Sequence, residues 1–205
     1  MINFEWLLFD IGGVLVKFKG VPRILEWMNW RVDREEMNRM WLYSEAVRAF
    51  ETGKTTPLEF AYAMVKEFKF SVSAEEFLEG FPFFIDGLYP GVEGFLQKLS
   101  GKYPIAALSN INEIHWGRLC IENNFDQLIP TIFLSFKTGY MKPDKDTYLK
   151  VIEDLKCEAD KIIFFDDNEI NVQAARDVGI NSVLVTGFDD LKRKIAGMGI
   201  LEEVG

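Results

Sequence analysis

Cysteine is scarce: Cys120 and Cys157 are the only two in 205 residues, and no metal-like or redox-like spacing relates them. Two are too few to staple a secreted domain, so a reducing compartment is expected. Long apolar runs are missing as well. No stretch approaches the roughly 18 residues that a membrane span needs, and Met1 to Asp10 shows no basic leader ahead of an apolar segment. These absences predict a cytoplasmic protein without a membrane partner. Basic residues are in deficit, with 23 Lys and Arg against 32 Asp and Glu and a net charge of -9. No basic run reverses that sign locally, so a nucleic acid would be repelled rather than bound. Internal repeats and low-complexity tracts are also absent, which excludes solenoids and disordered arrays.

What is present is an ordinary globular composition, 48% hydrophobic and 27% charged. The length suits one core domain with an insertion, or two small domains. Five short apolar runs of strand length stand out: Phe4 to Phe9, Ile105 to Leu108, Ile132 to Leu134, Ile162 to Phe165 and Ser182 to Val185. Continuous runs without alternation suit strands covered on both faces of a parallel sheet. Helical periodicity fills the later intervals, at Gly91 to Leu99, Glu113 to Asn123, Asp144 to Leu155 and Ile170 to Val178. The alternation predicts an α/β fold with a doubly wound, Rossmann-like parallel sheet.

One interval, roughly Lys17 to Leu88, breaks the alternation and reads as helical almost throughout. It holds three helix-start signatures: Asp33 with Glu36, Thr56 with Pro57 and Glu59, and Ser73 with Glu76. Trp27, Met28, Met40, Trp41, Ala46, Val47, Phe50, Phe60, Met64 and Phe68 recur at helical spacing, which predicts the apolar centre of a bundle rather than a ligand-contacting stripe. The expected organisation is a core domain from 1–16 and 89–205, with a helical cap domain inserted at 17–88. A last helix with a frayed acidic end is expected from Asp189 onward.

Ligands of open α/β sheets bind beyond the carboxyl ends of the strands, so the residues after each run carry the chemical information. The first run leads into Asp10, Ile11, Gly12 and Gly13, and the second into Ser109 and Asn110. The loop after the third passes Gly139 to Lys142 and Pro143, and the fourth run ends at Asp166, Asp167 and Asn168. Singly, such residues serve as caps and turns. Their joint order places every polar cluster on one rim.

Phe9-Asp10-Ile11-Gly12-Gly13-Val14-Leu15, Leu108-Ser109-Asn110, Lys142-Pro143 and Phe164-Phe165-Asp166-Asp167-Asn168 resemble the four ordered motifs of the haloacid dehalogenase superfamily. Asn171, Ala174, Ala175, Val178, Gly179 and Ile180 resemble its helix after the fourth motif. The likeness covers nearly the whole chain. A helical insert after the first motif resembles the subclass with an α-helical cap. Ser109-Asn110-Ile111-Asn112 with His115, and Glu51 beside Gly53, resemble the bacterial sugar-phosphate phosphatases of the α-D-glucose-1-phosphate branch. The resemblance implies a phosphatase acting on a small phosphorylated metabolite, with magnesium as cofactor.

Physical chemistry gives the same residues roles. Asp10, Asp166 and Asp167 at one rim would repel one another unless a cation sat among them. Hard oxygen donors and a phosphate select Mg2+, held by Asp10, the Gly12 carbonyl, and Asp166 and Asp167. The free oxygen of Asp10 can then attack phosphorus to give an aspartyl-phosphate. Lys142 offsets the charge of the phosphate, and Ser109, Asn110 and the backbone around Gly13 hold its oxygens.

Gly12 departs from the pattern. Phosphatases of this superfamily usually carry a second aspartate there as general acid and base, help worth ~10²–10⁴ in rate, or roughly 3–5 kcal/mol of barrier. Three readings follow: a phosphatase whose leaving group needs little protonation or whose substrate or cap supplies the proton; a catalytically inactive phosphate- and metal-binding module; or a dehalogenase. His115, the only histidine, is a candidate acid, although a lone His at a helix start is more often a capping or surface residue. Trp41, Tyr43 and Glu45 in the insert are explained by helical period alone. Motif spacing encodes neither the substrate, which depends on how the cap meets the rim, nor the oligomeric state.

Overall fold

The computed structural model describes residues 4–201. The expected acidic end at Glu202 and Glu203 and the first three residues of the expected core lie outside the described residues. Along the chain, β1 (Trp6–Phe9) and β2 (Val16–Phe18) precede five helices, α1 (Gly20–Trp27), α2 (Arg34–Tyr43), α3 (Glu45–Glu51), α4 (Pro57–Phe68) and α5 (Ala74–Gly80). A 3-10 turn, Phe81–Phe84, leads into β3 (Ile85–Leu88). Next come α6 (Val92–Ser100), β4 (Ile105–Ser109), α7 (Glu113–Asn123), α8 (Phe125–Leu128), β5 (Thr131–Leu134) and α9 (Ser135–Thr138). The chain closes with α10 (Lys145–Leu155), β6 (Ile162–Asp166), α11 (Glu169–Asp177), β7 (Asn181–Leu184) and α12 (Phe188–Gly197).

Five strands form a parallel sheet in the order β5-β4-β1-β6-β7. Period-two alternation sends Leu7, Phe9, Ala107, Ile163 and Phe165 to one face and Leu8, Ala106, Leu108, Ile162 and Phe164 to the other. Helices bury both faces, and this explains why the strands read as continuous apolar runs. From β1 the chain builds outward through β4 and β5, then returns to add β6 and β7 on the other side. The strand order therefore reverses between β1 and β6, where a crevice opens beyond the carboxyl ends. Asp10 follows one of these strands and Asp166 ends the other.

The helical insert has its own apolar centre, with Trp27, Phe50, Phe60, Met64, Phe68, Phe77 and Phe81 all buried. Phe50 and Phe60 stack with centroids 4.2 Å apart; burial of each such side chain contributes about 1.5–3 kcal/mol. The three helix starts form as the sequence predicts. Asp33 accepts from the Glu36 amide at 2.8 Å, and Thr56 with Glu59 and Ser73 with Glu76 close reciprocal capping boxes. Each cap is worth about 1 kcal/mol.

The insert is not helical to its ends. Val16–Phe18 pairs antiparallel with Ile85–Leu88 as a two-stranded ribbon, reinforced by the Tyr89 amide donating to Leu15 O at 3.0 Å and by a Lys19–Asp86 ion pair. Strands of three and four residues are too short to leave a periodic signal. The chain therefore enters and leaves the insert through one paired stem.

Candidate active site

Asp10 continues the β1 ladder, its amide donating to Phe165 O at 2.8 Å. Its carboxylate accepts from the Ile11 amide at 2.7 Å and pairs with Lys142 Nζ at 2.8 Å. The turn that follows needs glycine at position 13, where φ is +71° and a Cβ would strike the Asp167 carboxylate. Gly12 differs: it has no positive φ, and nothing lies within 4 Å of where its Cβ would be.

Asp166 ends β6 with 0% of its surface exposed. One of its oxygens, Oδ2, accepts from Lys142 Nζ at 2.6 Å; the other, Oδ1, accepts from the Asn168 amide at 2.8 Å and Asn171 Nδ2 at 3.0 Å. Asn171 is thus a site residue that the sequence reading placed only in a helix. Its signal was a spacing of one helical turn beyond the acidic pair. Ser135 was missed outright: its hydroxyl accepts from the Ile111 amide and donates to Ile111 O, each at 3.0 Å, pinning the loop after β4.

Lys142 is buried between Asp10 and Asp166. Burial alone would depress its pKa, but the two carboxylates outweigh that and hold it above the usual lysine range. Ser109 is buried at the carboxyl end of β4. The Asn110 amide bonds the Lys142 main chain, with Nδ2 donating to Lys142 O and Oδ1 accepting from Lys142 N, both at 2.8 Å. Asn110 positions the lysine.

The candidate metal ligands come together. Asp10, Asp166 and Asp167 each offer an oxygen, and these atoms all lie within 4.8 Å of one another. Burial first, then the charges of Asp166 and Asp167, push Asp10 up to about 7 against the pull of Lys142. Burial and Asp166 likewise push Asp167 up. One ammonium faces three carboxylates, so the cluster fits a hard divalent cation with oxygen ligands.

Both ring nitrogens of His115 are taken up by neighbours. The Asn112 side-chain Nδ2 donates to its Nδ1 at 3.2 Å, which leaves Nε2–H to donate to Phe81 O at 2.9 Å. The ring is buried against Phe81, with centroids 4.3 Å apart, and burial drops its pKa to about 4. It ties α7 to the end of the insert.

A cavity of about 470 Å³ opens where α2 and α3 of the insert face the rim, its walls including Trp41, Arg48, Glu51, Lys142, Asn168 and Ile170. Glu51 is half-buried there; desolvation pushes its carboxyl up to about 7, with Lys142 pulling the other way. In the sequence Glu51 stands out only for its place beside Gly53.

A model of the haloacid dehalogenase-like hydrolases matches residues 4–179. A sesquiterpene phosphatase of Aspergillus oryzae is 25% identical over 187 residues, covering 90% of this chain and 91% of its own length. A drimenol cyclase of Aspergillus calidoustus is 27% identical over 198 residues, or 94% of this chain and 36% of its own, so the chain spans about a third of that relative. Flavin mononucleotide hydrolase 1 of Arabidopsis thaliana is 25% identical over 154 residues, 70% of this chain and 62% of its own. Among solved structures, the HAD-family enzyme BT-2542 of Bacteroides thetaiotaomicron in complex with magnesium and inorganic phosphate superposes with a TM-score of 0.74. It is 25% identical, over 89% of this chain and 94% of that one. A HAD-like hydrolase of Porphyromonas gingivalis, 19% identical, shares the fold with a TM-score of 0.74 over 98% of this chain and 99% of its own.

Proposed function

Because this chain belongs to the haloacid dehalogenase-like hydrolases, we propose that it is a magnesium-dependent phosphatase of a small phosphorylated metabolite, working through an aspartyl-phosphate on Asp10. The observation that carries this reading is the buried Asp10 carboxylate, held by Lys142 at 2.8 Å within a cluster of three acids at the sheet's reversal point. Asp10, Asp166, Asp167 and the Gly12 carbonyl would hold magnesium, which when bound offsets the charge of the phosphate as a Lewis acid.

The chain's own groups do the rest. Asp10 attacks phosphorus in line, and Lys142 neutralises part of the charge that would otherwise repel the attack. The Ser109 hydroxyl and the backbone N–H groups around Gly13 hold the other phosphate oxygens. Asn110 keeps Lys142 in place. A cluster of three carboxylates suited to a cation favours phosphate over halide chemistry, which has no need of it. Residues 17–88 act as the cap that closes over the substrate.

A sugar phosphate is the substrate class that the sequence motifs support. A second class, the phosphate of an apolar alcohol, is favoured by the cavity walls, where Trp41, Leu42, Val47, Met141 and Ile170 present apolar surface, and by the likeness to a sesquiterpene phosphatase.

The test is a panel of sugar, nucleotide, acyl and isoprenyl phosphates assayed with Mg2+ and with a chelator, on wild type and Asp10→Asn. Activity that needs Mg2+ and falls at least ~10³-fold in Asp10→Asn is expected. Unchanged hydrolysis in that variant rejects the nucleophile. Inactivity of the wild type on every member of the panel turns the reading to a phosphate- and metal-binding module.

A further inference from the structure

We propose that Glu51, on the last turn of α3, protonates the leaving oxygen and then takes the proton from the attacking water, the work for which Gly12 has no side chain. This rests on the phosphatase reading above. No atom lies within 4 Å of where a Cβ on Gly12 would be, so the chain puts nothing of its own where a second aspartate would begin. Glu51 shares a cavity with Lys142, Asn110, Asn168 and Asn171, and Lys142 is bonded to the nucleophile. Among the described residues Glu51 makes no ion pair, whereas Arg48, one turn back, is paired with Asp144 of the core.

Two contacts fix the end of α3 against the core, and a local bond closes its last turn. Besides the Arg48–Asp144 pair, the Thr52 hydroxyl donates to Arg48 O at 2.7 Å, closing the last turn. Gly53, at φ +70°, lies so close to the Phe136 carbonyl that a Cβ would collide with it. The carboxyl is therefore delivered to the cavity by a rigid corner.

The ionisable neighbours are few. Tyr43, Glu45, Arg48 and Lys142 share the cavity. On the elements packed against α3, Lys137 of α9 lies over the Trp116 and Phe136 rings, and Glu67 of α4 accepts from the Ser44 hydroxyl. Among the described residues Lys142 is the charge that pulls Glu51 down, and it opposes a larger effect of burial. A carboxylic acid that stays protonated to near neutrality has the proton the first step needs.

In that first step an Asp10 oxygen forms a bond to phosphorus. The bond to the leaving oxygen breaks with its electron pair, and the Glu51 proton passes to that oxygen. In the second, water attacks the same phosphorus, Glu51 carboxylate accepts a water proton, and the bond to Asp10 breaks to release phosphate and the free carboxylate.

Glu51→Gln, with wild type and Asp10→Asn alongside, tests the assignment, with p-nitrophenyl phosphate as the good leaving group and glycerol phosphate as the poor one. The expected result is a fall in kcat/KM of ~10²–10⁴ for glycerol phosphate and less than about tenfold for p-nitrophenyl phosphate. The alkaline limb near pH 7 in the glycerol phosphate profile disappears, and p-nitrophenol is released in a burst as the phosphoenzyme accumulates. Glu51→Asp retains the limb at reduced rate, which keeps the test decisive if the glutamine variant folds poorly. Equal losses on both substrates, or an unaltered pH profile, overturn the role of Glu51. If Asp10→Asn abolishes turnover while Glu51→Gln does not alter it, Glu51 alone fails; if Asp10→Asn remains active, the phosphatase reading itself fails.

Discussion

The Asn110 side chain and the Lys142 main chain bond each other in both directions, the Lys142 amide donating to Oδ1 and Nδ2 donating to the Lys142 carbonyl, each at 2.8 Å. This pair of bonds joins the loop after β4 to the loop after β5. The ammonium so fixed lies between Asp10 and Asp166. Asn110→Ala removes two bonds worth about 0.5–1.5 kcal/mol each, so the unfolding free energy should drop by about 1–3 kcal/mol in denaturant titrations. The catalytic effect should be larger, a fall of roughly 10–100-fold in kcat/KM, because small displacements of a charge-neutralising group are costly. Full activity in the variant would mean that Lys142 is positioned by other contacts.

Two adjacent glycines should behave oppositely. At Gly13 a methyl group meets the Asp167 carboxylate in a left-handed backbone conformation, which alone costs roughly 1–2 kcal/mol for an L residue. Gly13→Ala should therefore lower Tm and weaken Mg2+ binding together. Gly12 has free space and an ordinary backbone, so Gly12→Ala should change Tm little. Paired thermal melts with and without Mg2+ check both expectations, and equal losses at the two positions would contradict the geometry of this turn.

Stability without metal should fall as pH rises through neutrality. Asp10 is held up to about 7 from an ordinary 3.8, by burial first and then by its acidic neighbours. The folded form thus binds a proton that the unfolded chain has released. The stabilisation linked to this group is complete below about pH 4 and is lost as pH passes 7. Metal binding requires the deprotonated carboxylate, so apparent Mg2+ affinity should weaken by up to about tenfold per pH unit below 7. Melts at pH 6 and pH 8 in chelator or excess Mg2+ should show a larger metal-induced rise in Tm at pH 8. A rise independent of pH would mean that Asp10 does not ligate the ion.

The legible parts of this fold were those written locally in the chain. Strands buried on both faces leave unbroken apolar runs, as from Ile162 to Phe165, and acids placed where such runs stop announce the rim. Helix caps such as Thr56 with Glu59 were legible for the same reason, since both partners lie within one turn. The illegible parts are pairings across sequence. The bonds of Asn110 to the Lys142 main chain could not be read locally, because only the fold brings the two together. Gly53 makes sense only against the Phe136 carbonyl, and Ser135 only against Ile111. Glu51 stood out only through a family likeness, beside Gly53, because its environment is made by two layers meeting. The β2–β3 ribbon was missed because three or four residues cannot establish a period.

His115 offers a test in which structure and catalysis separate. Burial lowers its pKa to about 4 from 6.5, so between these values the unfolded chain binds a proton that the folded form refuses. Its linked stability is present above about pH 6.5 and is lost as pH falls towards 4, opposite in sign to the trend from Asp10. Replacement by phenylalanine removes the titration and leaves the Phe81 carbonyl and the Asn112 amide, its present partners at 2.9 and 3.2 Å, without a bond. His115→Phe should therefore be less stable at pH 7 by about 1–3 kcal/mol, with the gap to wild type narrowing as pH drops from 6.5 to 4. The pH profile of kcat/KM should keep its limbs, because the ring's one proton is bonded to Phe81 and is not offered to substrate. Denaturant titrations across this range, run beside the kinetics, decide the matter: a lost limb would return His115 to the chemistry, while a constant stability gap would place the low pKa elsewhere.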